Sequence, residues 1–343
     1  MKLAPIAHAF DRAGIEHIIC HTGQHYDPML SDVFFEDLGI PAPDEHLGVG
    51  SGSHGRQTGA MLAALDGVLE RHQPDCVLVY GDTNSTLAAA LSAVKLHIPV
   101  AHLESGLRSF NRDMPEEHNR VLTDHCADLL LTPTSVGAQH LAAEGLADRT
   151  VVVGDVMADV LMATRTAVLD QPNPVAVEFG FAEGEYSLAT IHRPANTDTK
   201  QNLSAVVESL TRVDHPVVLL AHPRLVAKSE ELGVELSGGN LHTHAPLAYP
   251  QLVRAAMGAR GVITDSGGLQ KEAFLLRIPT TTVRTETEWV ETVQLGWNRL
   301  VSAGDELIQA ASRPRPVDTD AHPYGDGHAA DRVASVLVER FGK

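Results

Sequence analysis

Aromatic residues are scarce. Two Trp, five Tyr and eight Phe make up 4% of the 343 residues. A core must therefore be assembled mostly from Ala, Leu and Val, within a hydrophobic share of 43%. Cysteine is nearly absent: Cys20, Cys76 and Cys126 are odd in number and widely spaced. That excludes a disulfide framework and a clustered thiolate metal site. Three reduced, buried thiols in a cytoplasmic protein are expected instead. Positive charge is thin as well, with 26 Lys and Arg against 44 Asp and Glu and a net charge of -18. Such a field repels nucleic acid and anionic membrane. An anionic ligand would need a local positive site, which helix N-termini and a few Arg or His can supply. No apolar run reaches the roughly 20 residues needed to span a bilayer, and no signal-peptide pattern opens the chain.

What is present is ordinary globular composition, with 28 Gly and 19 Pro. At about 100–200 residues per domain, the length predicts two domains. EHIIC (16–20), DCVLVY (75–80), PVAHL (99–103), DLLLT (128–132) and TVVV (150–153) read as strands. They are continuous rather than alternating, the pattern of strands covered on both faces. Segments between them, such as SHGRQTGAMLAALDGVLERH (53–72), repeat apolar residues at helical spacing. Strand, helix, strand in succession implies a parallel sheet. QPNPVAVEFGFAEGE (171–185) is rich in Pro and Gly and predicts a linker. YSLATI (186–191), PVVLLA (216–221), ARGVIT (259–264) and PTTTV (279–283) then restart the pattern.

The fold class expected is α/β: two Rossmann-like doubly wound parallel-sheet domains with an inter-domain cleft. Ligands should enter at the carboxyl ends of the strands. The opening residues, MKLAPIAHAFDRA (1–13), already read as a helix. A doubly wound domain normally begins with a strand and a glycine-rich turn. The expectation is that the first strand of the N-terminal domain is missing through truncation, because losing an inner strand would leave its neighbours' backbone groups unpaired.

Five constellations could carry chemistry. YGDTNST (80–86) places Asp82 where a strand gives way to a helix, although a plain helix cap explains it equally well. HLESGLRS (102–109) puts Glu104 just beyond an apolar strand. Partial desolvation there would raise its pKa and suit proton transfer; the plain alternative is a satisfied loop carboxylate. MPEEHNR (114–120) offers Glu116 and Glu117 in a first helical turn behind Pro115, and one of the two could serve only the helix dipole. ATIHRPANTD (189–198) ends a strand with His192 and Arg193, a cation pair suited to a diphosphate. TDSGGLQKEAF (264–274) opens a helix on Ser266, Gly267 and Gly268, whose backbone N–H groups could approach a phosphate. Glu272, one turn further on, could accept from ribose hydroxyls or simply face solvent. These features describe a cleft enzyme acting on a nucleotide sugar, and leave glycosyl transfer and isomerisation both open.

GDTNST, HLESGLRS, MPEEHNR, HRPANTD, TDSGGLQKEA and HPYGDG (322–327), in this order and over nearly the whole chain, resemble the non-hydrolysing UDP-N-acetylglucosamine 2-epimerases. The resemblance implies a GT-B-type fold: residues 1–170 as a first domain carrying the carboxylates, 171–324 as a UDP-binding domain, and 325–343 as a helix crossing back to the first. It also implies the reaction. The C2 proton is removed and UDP leaves C1, giving a glycal, and UDP adds back after reprotonation on the other face. No metal or cofactor is implied, and a cytoplasmic homodimer is. By the same resemblance Asp82, Glu104 and Glu116 match the carboxylates of proton transfer, and His192 the histidine near the diphosphate. Ser266 and Gly267 match the phosphate cradle, Glu272 the ribose contact, Lys2 a lysine following the family's N-terminal turn, and Arg120 an arginine near the carboxylates.

There are departures. The family's Gly-Thr-Arg-Pro-Glu turn is absent, Ala195 stands where the family often has glutamate, and TETEWVE (285–291) has Trp289 in place of the usual Thr-Glu-Arg-Pro-Glu pattern. The Trp form resembles archaeal members and the branch acting on UDP-diacetamido-uronic acids. Gln24 and His25 match part of an allosteric site, but Ala60 stands where an arginine is expected, so weak or no activation by substrate is predicted. The alternatives are a GT-B glycosyltransferase, a hydrolysing epimerase and an inactive paralogue.

Overall fold

Apolar runs that are continuous in the sequence become parallel strands covered on both faces. The computed structural model describes residues 2–23 and 42–342, so Gln24 and His25 lie outside the described residues. The chain divides into two units, residues 1–160 with 322–343, and residues 161–321.

In the first unit four strands run in parallel in the order of the sequence: β3 (Val77–Tyr80), β4 (Val100–Leu103), β5 (Leu129–Thr132) and β6 (Thr150–Val152). Register pairs Leu78 with Ala101 and His102 with Leu130. Alternate residues serve opposite faces. Ala101, Leu103, Leu129 and Leu131 pack against Ile6 and Phe10 of the Leu3–Ala13 helix and Val333 and Leu337 of the Ala329–Phe341 helix. Val100 and Leu130 face the other way, onto Leu69, Ala90 and Leu141. The Ala329–Phe341 helix is held at its start by Asp159, which accepts from the N–H groups of Ala329 (3.0 Å) and Ala330 (2.7 Å). A separate parallel pair, β1 (Cys20–His21) and β2 (Glu45–His46), completes the strands. Among the described residues no ladder joins β1–β2 to β3.

The second unit holds a six-stranded parallel sheet ordered β12-β11-β10-β7-β8-β9. Its strands are β7 (Ser187–Thr190), β8 (Val217–Leu220), β9 (Leu241–His244), β10 (Gly261–Thr264), β11 (Thr280–Thr282) and β12 (Asn298–Leu300). Ala189, Leu219 and Ile263 feed one core layer, and Leu188, Val218 and Val262 the other. The order of strands reverses between β7 and β10. At such a switch point the flanking connections leave in opposite directions and open a crevice at the carboxyl ends of the strands. The loops beyond β7 and β10 are HRPANTD and DSGG. Strands β9 and β12 are not evident in the sequence, where LHTH and NRL lack apolar runs. Both are edge strands, with only one neighbour to pack against.

Candidate active site

The carboxyl ends of β3 and β4 carry the first group. Thr83 caps the Asn84–Lys95 helix in a reciprocal capping box with Thr86, worth about 1 kcal/mol. Ser85 is taken up by the Thr22 hydroxyl at 2.7 Å. The cap and the Thr22 contact therefore take up the hydroxyls of this turn and leave Asp82 outside them. Asp82 is paired with Arg120 at 3.0 Å, and its carbonyl accepts from Asn119 at 3.0 Å. Burial pushes its carboxyl up from the ordinary value. Arg120 and Lys2 oppose this, while the charges of Glu104 and Glu116 add to it.

Glu104 sits one residue past β4 with φ +74, a left-handed conformation that costs a non-glycine residue about 1–3 kcal/mol. Its carboxylate bonds the ammonium of Lys2 at the start of the Leu3–Ala13 helix. A side chain on Gly81 would lie 3.2 Å from that carboxylate and 3.3 Å from the Lys2 nitrogen, so a larger residue at 81 would crowd the pair. The Lys2 ammonium is held above its ordinary range. Burial alone would lower it, but the charge and hydrogen bond of Glu104, with Asp155 and Asp82 behind, outweigh that.

The Pro115–Cys126 helix supplies the third carboxylate and divides the two glutamates. Glu117 is buried and accepts from the backbone N–H of Ser109 (3.0 Å) and Phe110 (2.9 Å), from the Ser109 hydroxyl (3.0 Å) and from Arg120 (3.3 Å). Those donors outweigh burial and hold its carboxyl below the usual range. Glu117 is thus the loop-ordering residue. Glu116 is the one whose charge reaches Asp82. The structure therefore brings Lys2, Asp82, Glu104, Glu116 and Arg120 together in the first unit.

In the second unit the site is organised by Asp265, which sequence reasoning did not single out although it lies within TDSGG. It is fully buried. It accepts from the backbone N–H of His192 (3.0 Å) and Arg193 (2.9 Å), from the Asn196 amide (2.9 Å) and from the His192 ring (3.0 Å). Burial would raise its carboxyl, but these donors and the His192 charge hold it below the usual range. His192 remains half exposed on its other side. Among the described residues the Arg193 side chain makes no ion pair.

The Gly267–Leu275 helix starts beside this group, with Ser266 at its N-cap and its own cap hydroxyl uncommitted. Gly268 faces open space. A side chain on Gly267 would meet Glu288 at 2.3 Å, and Glu288 is itself held by Arg284 at 3.0 Å. Glu272 is 9% exposed rather than solvent-facing, and accepts from the Tyr249 hydroxyl at 3.0 Å. Trp289 is buried and lies 4.2 Å from the Lys271 ammonium. Among the described residues no group of His, Cys, Asp and Glu is placed to hold a metal ion.

Clustered carboxylates on one parallel-sheet unit and a helix N-terminus with histidine and arginine at the switch point of another fit a class: enzymes acting on nucleotide-linked sugars. The comparisons name the family within it. Residues 8–338 match the family model described as UDP-N-acetylglucosamine 2-epimerase. The chain is 42% identical over 342 residues to a UDP-N-acetylglucosamine 2-epimerase homolog of Methanococcus maripaludis, covering 98% of this chain and 96% of the relative. It is 44% identical over 336 residues to the UDP-2,3-diacetamido-2,3-dideoxy-D-glucuronate 2-epimerase of Pseudomonas aeruginosa, covering 95% and 92%. The crystal structure of the Methanocaldococcus jannaschii UDP-GlcNAc 2-epimerase in complex with UDP-GlcNAc and UDP matches with a TM-score of 0.85 at 38% identity, over 98% of this chain and 96% of that one. The chain belongs to the UDP-N-acetylglucosamine 2-epimerase family, an isomerase family of GT-B fold. No helix among the described residues is long and apolar enough to cross a membrane.

Proposed function

We propose that this chain interconverts UDP-N-acetylglucosamine and UDP-N-acetylmannosamine. The observation that carries the reading is the cluster of Asp82, Glu104 and Glu116 with Lys2 and Arg120, three carboxylates against two cations. In the forward direction the C2–H bond breaks to a carboxylate and the C1–O bond breaks to release UDP. The electron pair left at C2 forms the C1–C2 double bond of a glycal. Reprotonation at C2 on the opposite face and return of UDP to C1 complete the epimerisation, so no redox partner is required. Asp82, whose carboxyl is pushed up by burial, is suited to deliver a proton. Glu104, paired with the Lys2 ammonium, is placed to receive one.

His192, Arg193, Ser266, Gly267 and Gly268 hold the diphosphate and Glu272 the ribose. The N-terminal end of the Gly267–Leu275 helix favours the phosphate charge. The enzyme acts in the cytoplasm as a homodimer, as expected from the family. A second reading, epimerisation of a UDP-diacetamido-uronic acid, is favoured by the 44% identity to the Pseudomonas relative and by Trp289 in the TETEWVE segment.

The test is proton NMR of UDP-N-acetylglucosamine in D2O with this chain. Deuterium at C2 with a growing UDP-N-acetylmannosamine signal is expected. Exchange only with the uronic-acid nucleotide would transfer the assignment to the second reading. Sugar transfer to an acceptor with C2 unchanged would refute both.

A further inference from the structure

One buried network is not used by the reaction chemistry above. His102 lies in the middle of β4 and is fully inaccessible, as is Asp124. Its Nδ1 is 2.6 Å from a carboxylate oxygen of Asp124. Its Nε2 is 2.7 Å from the backbone carbonyl of Gly81. Asp124 is further bonded by Arg108 at 2.7 Å and by the N–H of Gly106 at 3.1 Å. Arg108 in turn makes two 2.8 Å bonds to Glu144.

The chemistry of the partners sets the state of the ring. A backbone carbonyl can only accept. A carboxylate already accepting from a guanidinium and an N–H is an acceptor too. Burial would push the Asp124 carboxyl up, but the His102 hydrogen bond and the charges of His102 and Arg108 hold it below its ordinary range. A neutral imidazole would turn one ring lone pair onto an oxygen lone pair in a fully buried site, and an unmade bond there is costly. Both acceptors are satisfied at once only by a ring that donates from each nitrogen. The charge of such a ring and that of Arg108 would be matched by Asp124 and Glu144.

The carbonyl that His102 holds belongs to the residue before Asp82. Gly81 has φ +64, and its N–H is bonded to the Leu103 carbonyl at 3.0 Å. The next carbonyl, of Asp82 itself, is held by Asn119. His102 and Asn119 thus fix two successive peptides, and the direction in which the Asp82 side chain leaves the turn depends on both.

We propose that His102, as a buried imidazolium spanning Asp124 and the Gly81 carbonyl, is a positioning residue for Asp82. This rests on the reading of Asp82 as a participant in the reaction.

The decisive comparison is His102→Gln against His102→Asn. A glutamine amide reaches the Nε2 position and can still donate to Gly81. An asparagine amide reaches only the Nδ1 position and releases that carbonyl. His102→Gln should keep C2 exchange within about threefold of the parent, whereas His102→Asn should lose about tenfold or more, the scale expected for a misplaced catalytic group. KM should stay unchanged in both, so the effect falls on kcat. In an Asp82→Asn background, His102→Asn should add nothing. Equal exchange in the two His102 variants, at any level, would overturn the proposal. An Asp82→Asn variant that turns over normally would instead overturn the functional reading beneath it.

Should a variant not fold, nitrogen NMR of the unmodified protein labelled with 15N-histidine decides the charge state without any turnover. Two protonated ring nitrogens at His102 are expected, and a neutral tautomer would sink the proposal.

Discussion

Replacing Asp265 by Asn isolates the residue that ties together the loops beyond β7 and β10. The carboxylate is fully buried and accepts from two backbone N–H groups, an amide and a ring nitrogen, all at 2.9–3.1 Å. A hydrogen bond to a charged group contributes about 1.5–3 kcal/mol, and a buried donor left unpaired loses about 1–3 kcal/mol. Asparagine keeps one acceptor oxygen but turns an NH2 toward donors that cannot accept. We expect a loss of about 3–5 kcal/mol, a large share of the roughly 5–15 kcal/mol that holds a domain together. With a urea dependence of about 2 kcal/mol per molar, the unfolding midpoint should fall by about 2 M.

Both tryptophans, Trp289 and Trp297, lie in this unit, so their fluorescence reports its unfolding directly. The pH dependence supplies a second check. The Asp265 carboxyl is depressed in the fold. Its contribution is therefore complete above the unfolded value of about 3.9 and is lost as pH falls through the folded value. The gap between parent and Asp265→Asn midpoints should be constant near neutrality and narrow below about pH 4. A midpoint drop of less than about 0.5 M at pH 7, or a gap that persists undiminished in acid, would refute this account.

Other outcomes follow from the same geometry. Glu117→Gln should lower the Tm of the first unit, because four donors lose a charged acceptor, while Glu116→Gln should leave the melt unchanged and cut C2 exchange by about a hundredfold. Gly106→Ala would place a Cβ 2.5 Å from the Gly137 carbonyl at φ +80 and should cost about 3 kcal/mol or more in chemical denaturation. Gly14→Ala, at φ +68 but in open space, should cost only about 1 kcal/mol. The Cys76 thiol, pushed up to about 12 by burial, should stay unreactive toward a disulfide reagent at pH 8 until the protein is unfolded. Prompt labelling of Cys76 in native buffer would contradict its placement.

The sequence makes the inner strands legible because burial on two faces demands uninterrupted apolar residues. DLLLT and PVVLLA can hardly be anything else. The same logic hides the edges: β9 reads Leu-His-Thr-His and β12 Asn-Arg-Leu, and a strand with one neighbour needs no apolar run. EHIIC yields paired residues only at Cys20 within it, because β1 is two residues long and its ladder is with β2 alone. Among site residues, Asp82, Glu104 and Glu116 stand out by lying next to strand ends or a helix start. Spacing alone cannot separate Glu116 from Glu117. What separates them is the loop 109–110 folding back to present its N–H groups to Glu117 alone. Asp265 and His102 escape notice for a related reason. Each acts through backbone groups contributed by segments some 20 to 70 residues away, and no local pattern announces such partners.

The first unit is discontinuous: its core includes Val333, Ala334 and Leu337, packed against Ile6 and Phe10, while residues 161–321 form a unit of their own between them. During synthesis the carboxylate-bearing half therefore emerges first and waits longest. Until the Ala329–Phe341 helix leaves the ribosome, one face of its sheet lacks part of its cover. The second unit is contiguous in sequence and can close on itself without the C-terminal helix. Ribosome-bound chains in which residue 321 is followed by a spacer long enough to clear the exit tunnel should hold a protease-resistant second unit and a first one still open to cleavage.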